Sequence, residues 1–354
     1  GPRSMGGTKS KPQQKAQGGA DSGAAMAQKE GEQYDPQELI DRLPGPAPLD
    51  EDGFVQSFSV DQVEEIRRFF ETYGFVVIQD VLSEEQIAAS KAEFWALDPD
   101  LDETDPGTWE PFWKAQRFGH LGIIGMGPGI TPCQVTNRQT PAVYEAYATV
   151  LGCRELWADH DRIGVMRPTR NLTYKDGHVE EDKDEWRTVA NWLHLDCNPL
   201  QGHASIAGFA STMDEIDFTK TLIIQGLLTL TDARVEDGGF HCVPGSNNVC
   251  VEWCKANPKR AASGSNFGIP ETDPLFPHIQ QIPVRRGCAL LWTSLLMHGN
   301  HPNRSDRFRM CQYVRFVPTK GTPYSPLITD RAAYADVEVT PLGERLFGLQ
   351  PWPE

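Results

Sequence analysis

The sequence predicts a mainly β protein, an all-β sandwich or jelly roll with an α-helical buttress on its N-terminal side. Helix signals dominate the first half of the folded sequence. From about residue 160 they give way to short apolar runs broken by turn residues. Helices first and many strands afterwards are typical of a β core braced by helices. With 354 residues, the chain is long enough for one large domain or two small ones.

Residues 1–50 are predicted to be a disordered tail, because Gly, Ala, Gln, Lys and Pro dominate and apolar periodicity is missing. Gly1 to Ser4 resemble a cloning remnant. If Met5 is the native start, Gly6 begins an N-myristoylation pattern with nearby lysines at positions 9, 11 and 15. A lipid chain with a basic patch can hold a protein weakly on a membrane, so a membrane tether and a plain tail both stay open.

Residues 51–354 are predicted to form the folded domain. Capping residues and apolar stripes predict helices at 59–74, 83–97, about 141–157 and 341–346. Apolar runs predict strands at 75–78, 162–166, 192–197, 222–231, 287–297 and 308–317. Residues 98–135, which are rich in Trp, Gly and Pro, are predicted to be loop, and the charged stretch 174–187 a flap.

Composition excludes some classes of partner. The net charge of -16 argues against a nucleic-acid ligand, since binding phosphate backbones requires a surplus of Lys and Arg. No apolar run approaches the roughly 20 residues that span a bilayer. The eight cysteines include no CxxC pair, and no secretory signal precedes them. We therefore expect free thiols, a reducing compartment and a cytoplasmic location.

Two His-x-acid triplets occur, although nine His and 49 acidic residues supply about one by chance. His178-x-Glu180 lies in the charged stretch and is interpreted as solvated surface. His194-x-Asp196 lies in a predicted strand, where alternate side chains share a face and can bind one metal ion. His194 could instead be a core histidine, but a buried Asp196 requires a partner or a metal.

A third metal ligand is predicted at His298, which closes a long apolar run. Two His and one carboxylate on one face of iron leave positions for a bidentate 2-oxo acid and for dioxygen. Arg309 follows eleven residues later, and the next strand brings it back beside His298. Its planar fork can bind a distal carboxylate through two hydrogen bonds. Pairing of Arg309 with Asp306 or Asp237 is the alternative.

Three segments carry a family resemblance: Asn191 to Asp196, Asp237-Gly238-Gly239 leading to Pro244-Gly245-Ser246-Asn247, and His298 to Arg309. Together they resemble the phytanoyl-CoA dioxygenase (PhyH) family over roughly residues 55–352. The resemblance implies a double-stranded β-helix, a cupin-like jelly roll, with iron(II) held by His194, Asp196 and His298. It also implies 2-oxoglutarate binding by Arg309 and by a polar residue three before the first His, here Asn191. Asn247 and Asn191 stand where the family commonly has His and Gln, which puts substrate details in question.

The resemblance implies an oxidoreductase, an iron(II)- and 2-oxoglutarate-dependent dioxygenase that uses O2 and is stimulated by ascorbate. It would hydroxylate a C–H bond of a small organic molecule and release succinate and CO2. Hydroxylation is favoured over halogenation because Asp196 occupies its coordination position, whereas desaturation and ring closure stay open. The alternatives are a non-catalytic cupin-like binding protein, tethered through Gly6, and an iron enzyme that uses no 2-oxo acid.

Overall fold

The computed structural model describes residues 35–125, 127–196, 223–257, 267–321, 326 and 328–353. The chain from Asp35 onward forms one compact unit. The predicted acylation site at Gly6 lies outside the described residues, as do the three lysines beside it. No helix within the described ranges is both long and apolar enough to cross a membrane.

The helices of the described residues are α1 Pro36–Ile40, α2 Val63–Tyr73, α3 Glu84–Trp95, α4 Trp109–Ala115, α5 Pro132–Arg138, α6 Pro141–Leu151, α7 Cys250–Ala256 and α8 Pro341–Leu346. The predictions for α2, α3 and α8 are confirmed. Helix α2 ends because Gly74 adopts a left-handed conformation with φ 77°. Helix α6 is shorter than predicted, since Gly152, also left-handed at φ 62°, ends it after Leu151.

The strands are β1 Ser57–Phe58, β2 Phe75–Ile78, β3 Ile123–Ile124, β4 Leu156–Ala158, β5 Ile163–Met166, β6 Arg170–Thr173, β7 Val179–Asp182, β8 His194–Leu195, β9 Ile224–Thr229, β10 Gly239–Cys242, β11 Phe267–Gly268, β12 Gln280–Gln281, β13 Ala289–Thr293, β14 His298–His301 and β15 Arg309–Pro318. A major sheet has the order β1-β2-β13-β9-β15-β5-β3, and β4 also pairs with β15. A minor sheet has the order β11-β8-β14-β10-β12.

From β8 onward the chain crosses repeatedly between the two sheets. Strands β8, β10 and β14 belong to the minor sheet, and β9, β13 and β15 to the major sheet. The sheets face each other, since Phe240 of β10 packs against Trp292 of β13 with ring centroids 4.7 Å apart. The predicted mainly β fold, a jelly-roll core, is confirmed.

The helical buttress covers the outer face of the major sheet. Tyr147 of α6 stacks on Phe316 of β15 at a centroid distance of 4.4 Å. Its hydroxyl donates to the Val314 carbonyl oxygen over 2.8 Å, so the buried phenol is satisfied. This packing leaves the inner face of β15 free to line the space between the sheets.

Three predicted boundaries are wrong. The folded part begins before residue 50, because α1 forms at Pro36–Ile40 and Ala47 is buried in the core. The predicted loop 98–135 contains α4 and α5, and Thr131 begins α5 with a capping box that involves Gln134. The predicted flap 174–187 overlaps an antiparallel hairpin of β6 and β7.

The predicted free thiols are confirmed for six of the described cysteines. Cys133, Cys153, Cys242, Cys254, Cys288 and Cys311 are free, and the last four of these are buried. Cys197 lies outside the described residues.

A buried histidine is expected to make stability depend on pH. Burial, with the nearby Arg138 guanidinium, lowers the pKa of His160 to about 3, whereas an unfolded histidine titrates near 6.5. Below that pH the unfolded chain binds a proton that the native protein does not. The free energy of unfolding should therefore fall by up to about 1.4 kcal/mol per pH unit from this group. Urea titrations of the metal-free proteins measure this effect. As the pH falls from 6.5 to 4, the free energy of unfolding should decline less steeply in His160→Gln than in the wild-type protein. His178→Gln, at an exposed position, is the control. Equal slopes of the free energy of unfolding against pH in the two variants would show that His160 does not cause the pH dependence.

Candidate active site

Two neighbouring strands of the minor sheet place the predicted ligands together. His194 on β8 lies directly opposite His298 on β14, and Asp196 follows β8 by one residue. All three side chains are buried. One ligand atom from each lies within 4.8 Å of the others. Among the described residues, this is the group of His, Cys, Asp and Glu that could hold a metal ion.

Both imidazoles are oriented by main-chain carbonyls. The Nδ1 atom of His194 lies 3.1 Å from the Trp192 carbonyl oxygen, and that of His298 lies 2.8 Å from the Leu296 carbonyl oxygen. A carbonyl only accepts, so each Nδ1 carries the proton and each Nε2 keeps its lone pair. His194 Nε2 lies 3.5 Å from Asp196 Oδ1, and His298 Nε2 lies 3.4 Å from Asp196 Oδ2. Cis ligands at normal bond lengths lie about 3 Å apart, so these separations are close to those between the ligands of one metal ion.

Electrostatics favour the metal-binding protonation states of His194 and Asp196. Burial lowers the pKa of His194 to about 4 against the attraction of Asp196, so the imidazole is neutral near pH 7. Burial alone would raise the pKa of Asp196, but the two imidazoles and a hydrogen bond from Gln225 lower it well below its usual range. Neutral imidazoles and an ionised carboxylate are the forms that bind a metal.

Sequence reasoning missed Gln225. This residue lies on the inner face of β9, and its Nε2 atom donates to Asp196 Oδ2 over 2.7 Å. A polar residue inside the apolar run 222–231 was the available signal. The bond fixes one carboxylate oxygen of Asp196 and leaves the other for a metal ion.

The Gln225→Leu variant is expected to bind metal about 10- to 100-fold more weakly, because the carboxylate loses the partner that orients it. Isothermal titration calorimetry with Ni²⁺ measures the change. The control is Gln281→Leu, which removes an amide from β12, outside the cavity. An unchanged affinity in Gln225→Leu would show that Asp196 does not depend on this bond.

A cavity of about 330 Å³ opens over the three ligands, between the sheets. Aromatic side chains form much of its wall, and the polar side chains in its lining come mainly from the major sheet. Besides the three ligands, the lining includes Ile123, Asp161, Arg162, Trp192, Gln225, Leu227, Phe240, Trp292, Gly299, Asn300, Tyr313 and Arg315. Trp192 stacks on the His194 ring at 4.4 Å. The volume is within the range of small-molecule sites.

Arg309 is buried at the start of β15. Its Nε and Nη1 atoms have no hydrogen-bond partner among the described residues. The alternative pairing is not seen, because Asp237 and Asp306 form ion pairs with Arg307 at 2.6 and 3.5 Å. Arg309 does not itself line the cavity. Tyr313 does, and it lies within hydrogen-bonding reach of Arg309.

Asn191 is not brought together with the triad of His194, Asp196 and His298. Its backbone has φ 56°, its side chain is exposed, and its Nδ2 atom donates to Glu271 over 2.8 Å. The residue borders a different cavity, which also contains His241 and His301. Strand β8 begins only at His194, so alternation along a strand does not extend back to position 191.

The model of the family described as Phytanoyl-CoA dioxygenase (PhyH) matches residues 203–311, a range that contains His298 and Arg309. The matched range is 109 of the 354 residues, so this part of the chain is similar to the PhyH family. Members of this family are iron(II)- and 2-oxoglutarate-dependent dioxygenases, a class of oxidoreductases. A relative from Dictyostelium discoideum, "Putative phytanoyl-CoA dioxygenase", is 24% identical over 77% of this chain and 85% of its own. "Dioxygenase trt7" of Aspergillus terreus is 26% identical over 47% of this chain and 52% of its own length.

Solved structures with detectable similarity to this chain include SnoK and HygX. The carbocyclase SnoK from nogalamycin biosynthesis has a TM-score of 0.44 and 17% identity, over 74% of this chain and 87% of its own. HygX from Streptomyces hygroscopicus, solved with nickel and 2-oxoglutarate bound, has a TM-score of 0.46 and 18% identity, over 74% and 90%.

Proposed function

We propose that this protein is a PhyH-like oxygenase that hydroxylates a C–H bond of a small organic molecule and releases succinate and CO2 from 2-oxoglutarate. One observation carries the proposal: two imidazole nitrogens and one carboxylate oxygen converge within 4.8 Å in a buried site. Two His and one carboxylate are the donor set of non-haem iron(II) oxygenases, which leave coordination positions open.

His194, Asp196 and His298 would hold the iron. When bound, iron(II) and 2-oxoglutarate supply the oxidising chemistry with O2, and the protein supplies binding and orientation. The Trp192 and Leu296 carbonyls hold the imidazoles, and Gln225 holds the carboxylate.

Arg309 fits the distal carboxylate of the cosubstrate. A buried guanidinium with unpartnered Nε and Nη1 atoms requires an acceptor that the described protein does not provide. Gly239 makes room for it, since a Cβ there would lie 2.9 Å from Arg309 Nε. Tyr313 connects this arginine to the cavity above the triad.

The aromatic wall has two roles in this proposal. Phe240 and Trp292 lie 5.8 and 5.3 Å from the His298 ring, measured between centroids. They exclude water from the reacting centre and present a flat apolar surface to a substrate. A small organic molecule is the class of substrate that a cavity of about 330 Å³ favours.

Succinate formation tests the proposed function. Purified protein with iron(II), ascorbate and 2-oxoglutarate should release succinate slowly without a primary substrate. The Asp196→Ala variant should release none above background. Absence of succinate from the wild-type protein, with metal bound, would favour the non-catalytic binding protein. Consumption of O2 without any effect of 2-oxoglutarate would favour an iron enzyme that uses no 2-oxo acid.

We also propose a cytoplasmic protein with a weak membrane tether, supported by the acylation pattern at Gly6 and the free thiols. Mass spectrometry of protein co-expressed with an N-myristoyltransferase, without the residues before Met5, should show one added acyl group. A Gly6→Ala control should show none. An unmodified wild-type protein would contradict the tether.

A further inference from the structure

Two arginines share the inner face of β15. Arg309 and Arg315 are six residues apart, which places their Cα atoms about 20 Å from each other along the strand. Arg315 lies directly opposite Gln225 on β9, the residue that bonds to Asp196. Along the direction of β15, Arg315 is therefore at the same position as the triad, whereas Arg309 lies towards the other end of the strand. A 2-oxoglutarate that reaches from the triad to Arg309 leaves Arg315 to another ligand.

Arg315 has donor capacity left over. Its Nη2 atom pairs with Asp159, a buried carboxylate that does not line the cavity. Its Nε atom is buried and has no partner among the described residues. Only 11% of the side chain is exposed, so water is a poor substitute for an acceptor. The group lines the cavity itself.

The surrounding wall limits the charge and shape of that ligand. Asp161 lines the same cavity, with one oxygen 3.0 Å from Arg162 Nε. A second negative charge on the ligand would therefore meet a carboxylate. Trp192 and Trp292 supply apolar ring faces near the triad, and the buried Trp292 Nε1 is a further unpartnered donor. These features favour one carboxylate on a flat apolar body.

We infer, on the basis of the proposed function, that the primary substrate is a flat apolar monocarboxylic acid whose carboxylate binds Arg315. The planar guanidinium offers its Nε to one carboxylate oxygen while Nη2 stays with Asp159. The apolar body then lies along the Trp192 and Trp292 rings, over the triad. Arg315 is the residue that distinguishes an acid from its neutral analogue.

Three probes that share one ring system test this inference: 2-naphthoate, 2-naphthamide and 2-naphthyl phosphate. Each is titrated by calorimetry into the full chain loaded with iron(II) and 2-oxoglutarate under nitrogen. The acid should bind at least tenfold more tightly than the amide and than the phosphate. Binding of 2-oxoglutarate is measured first. Its failure to bind would overturn the proposed function, whereas its binding without a preference for the acid would overturn only this inference.

Variants of Arg315 test whether this residue causes the preference for the acid over the amide. Arg315→Gln should bind the acid and the amide equally, with 2-oxoglutarate affinity within about threefold of wild type, and Arg315→Lys should keep part of the preference. Asp159→Asn combined with Arg315→Gln guards against misfolding, because it leaves no buried charge unpaired. The inference is overturned if no probe binds, if the phosphate binds best, if Arg315→Gln keeps the preference, or if the acid displaces 2-oxoglutarate.

Discussion

The His298→Ala variant is expected to lose tight iron binding and to release succinate more than about 100-fold more slowly than wild type. Loss of an outer-shell partner alone commonly costs 10–100-fold in metal affinity, and a direct ligand costs more. His298 supplies one of three converging atoms, and the remaining pair, His194 and Asp196, would hold the metal by two bonds. Calorimetry with iron(II) under nitrogen and a succinate assay measure the two losses.

His301→Ala is the matched control, because His301 lies on the same strand and is also buried, but it belongs to the opposite face. Its circular dichroism and unfolding midpoint report the structural cost of removing a buried imidazole from β14. Equal losses of iron in both variants would mean that the triad is not the metal site.

The Arg309→Ala variant is expected to raise the apparent 2-oxoglutarate KM by about 30-fold or more. Truncating one partner of a buried, hydrogen-bonded charge pair costs about 2–5 kcal/mol. Metal affinity should stay near wild type, since Arg309 contacts neither the triad nor Gln225. Succinate formation over a range of 2-oxoglutarate concentrations separates a change in KM from a change in kcat.

Two further variants make this test specific. Arg304→Ala removes an equal charge from an exposed position and should leave the 2-oxoglutarate KM unchanged. Gly239→Ala places a Cβ 2.9 Å from Arg309 Nε, so it should raise the KM by displacing the guanidinium without removing it. A normal KM in Arg309→Ala would favour an iron enzyme that uses no 2-oxo acid.

Local signals predicted the helices that position the core. The capping box of Ser83 and Gln86 and the left-handed Gly74 are interactions within a few residues, and the structure contains both. Residues 98–135 were predicted to be loop because Trp, Gly and Pro dominate. The Thr131 to Gln134 capping box was the overlooked signal for α5.

The site was predictable where strand geometry determines it. His194 and Asp196 are two residues apart, and His298 ends a buried run, so their convergence required only that β8 and β14 be neighbours. Asn191 does not lie beside these residues, because a positive φ turns the backbone just before β8 begins. Gln225 and Arg315 depend on the pairing of β9 with β15, a contact across about 90 residues that no local pattern reports.

We propose that His194, Asp196 and His298 hold one metal ion while Arg309 binds the distal carboxylate of 2-oxoglutarate. A crystal structure with Ni²⁺ and 2-oxoglutarate tests it most directly. We expect metal density between His194 Nε2, Asp196 and His298 Nε2, with the distal carboxylate of 2-oxoglutarate at Arg309. Metal bound elsewhere, Asp196 turned away from the two imidazoles, or 2-oxoglutarate held by Arg315 instead would contradict the account.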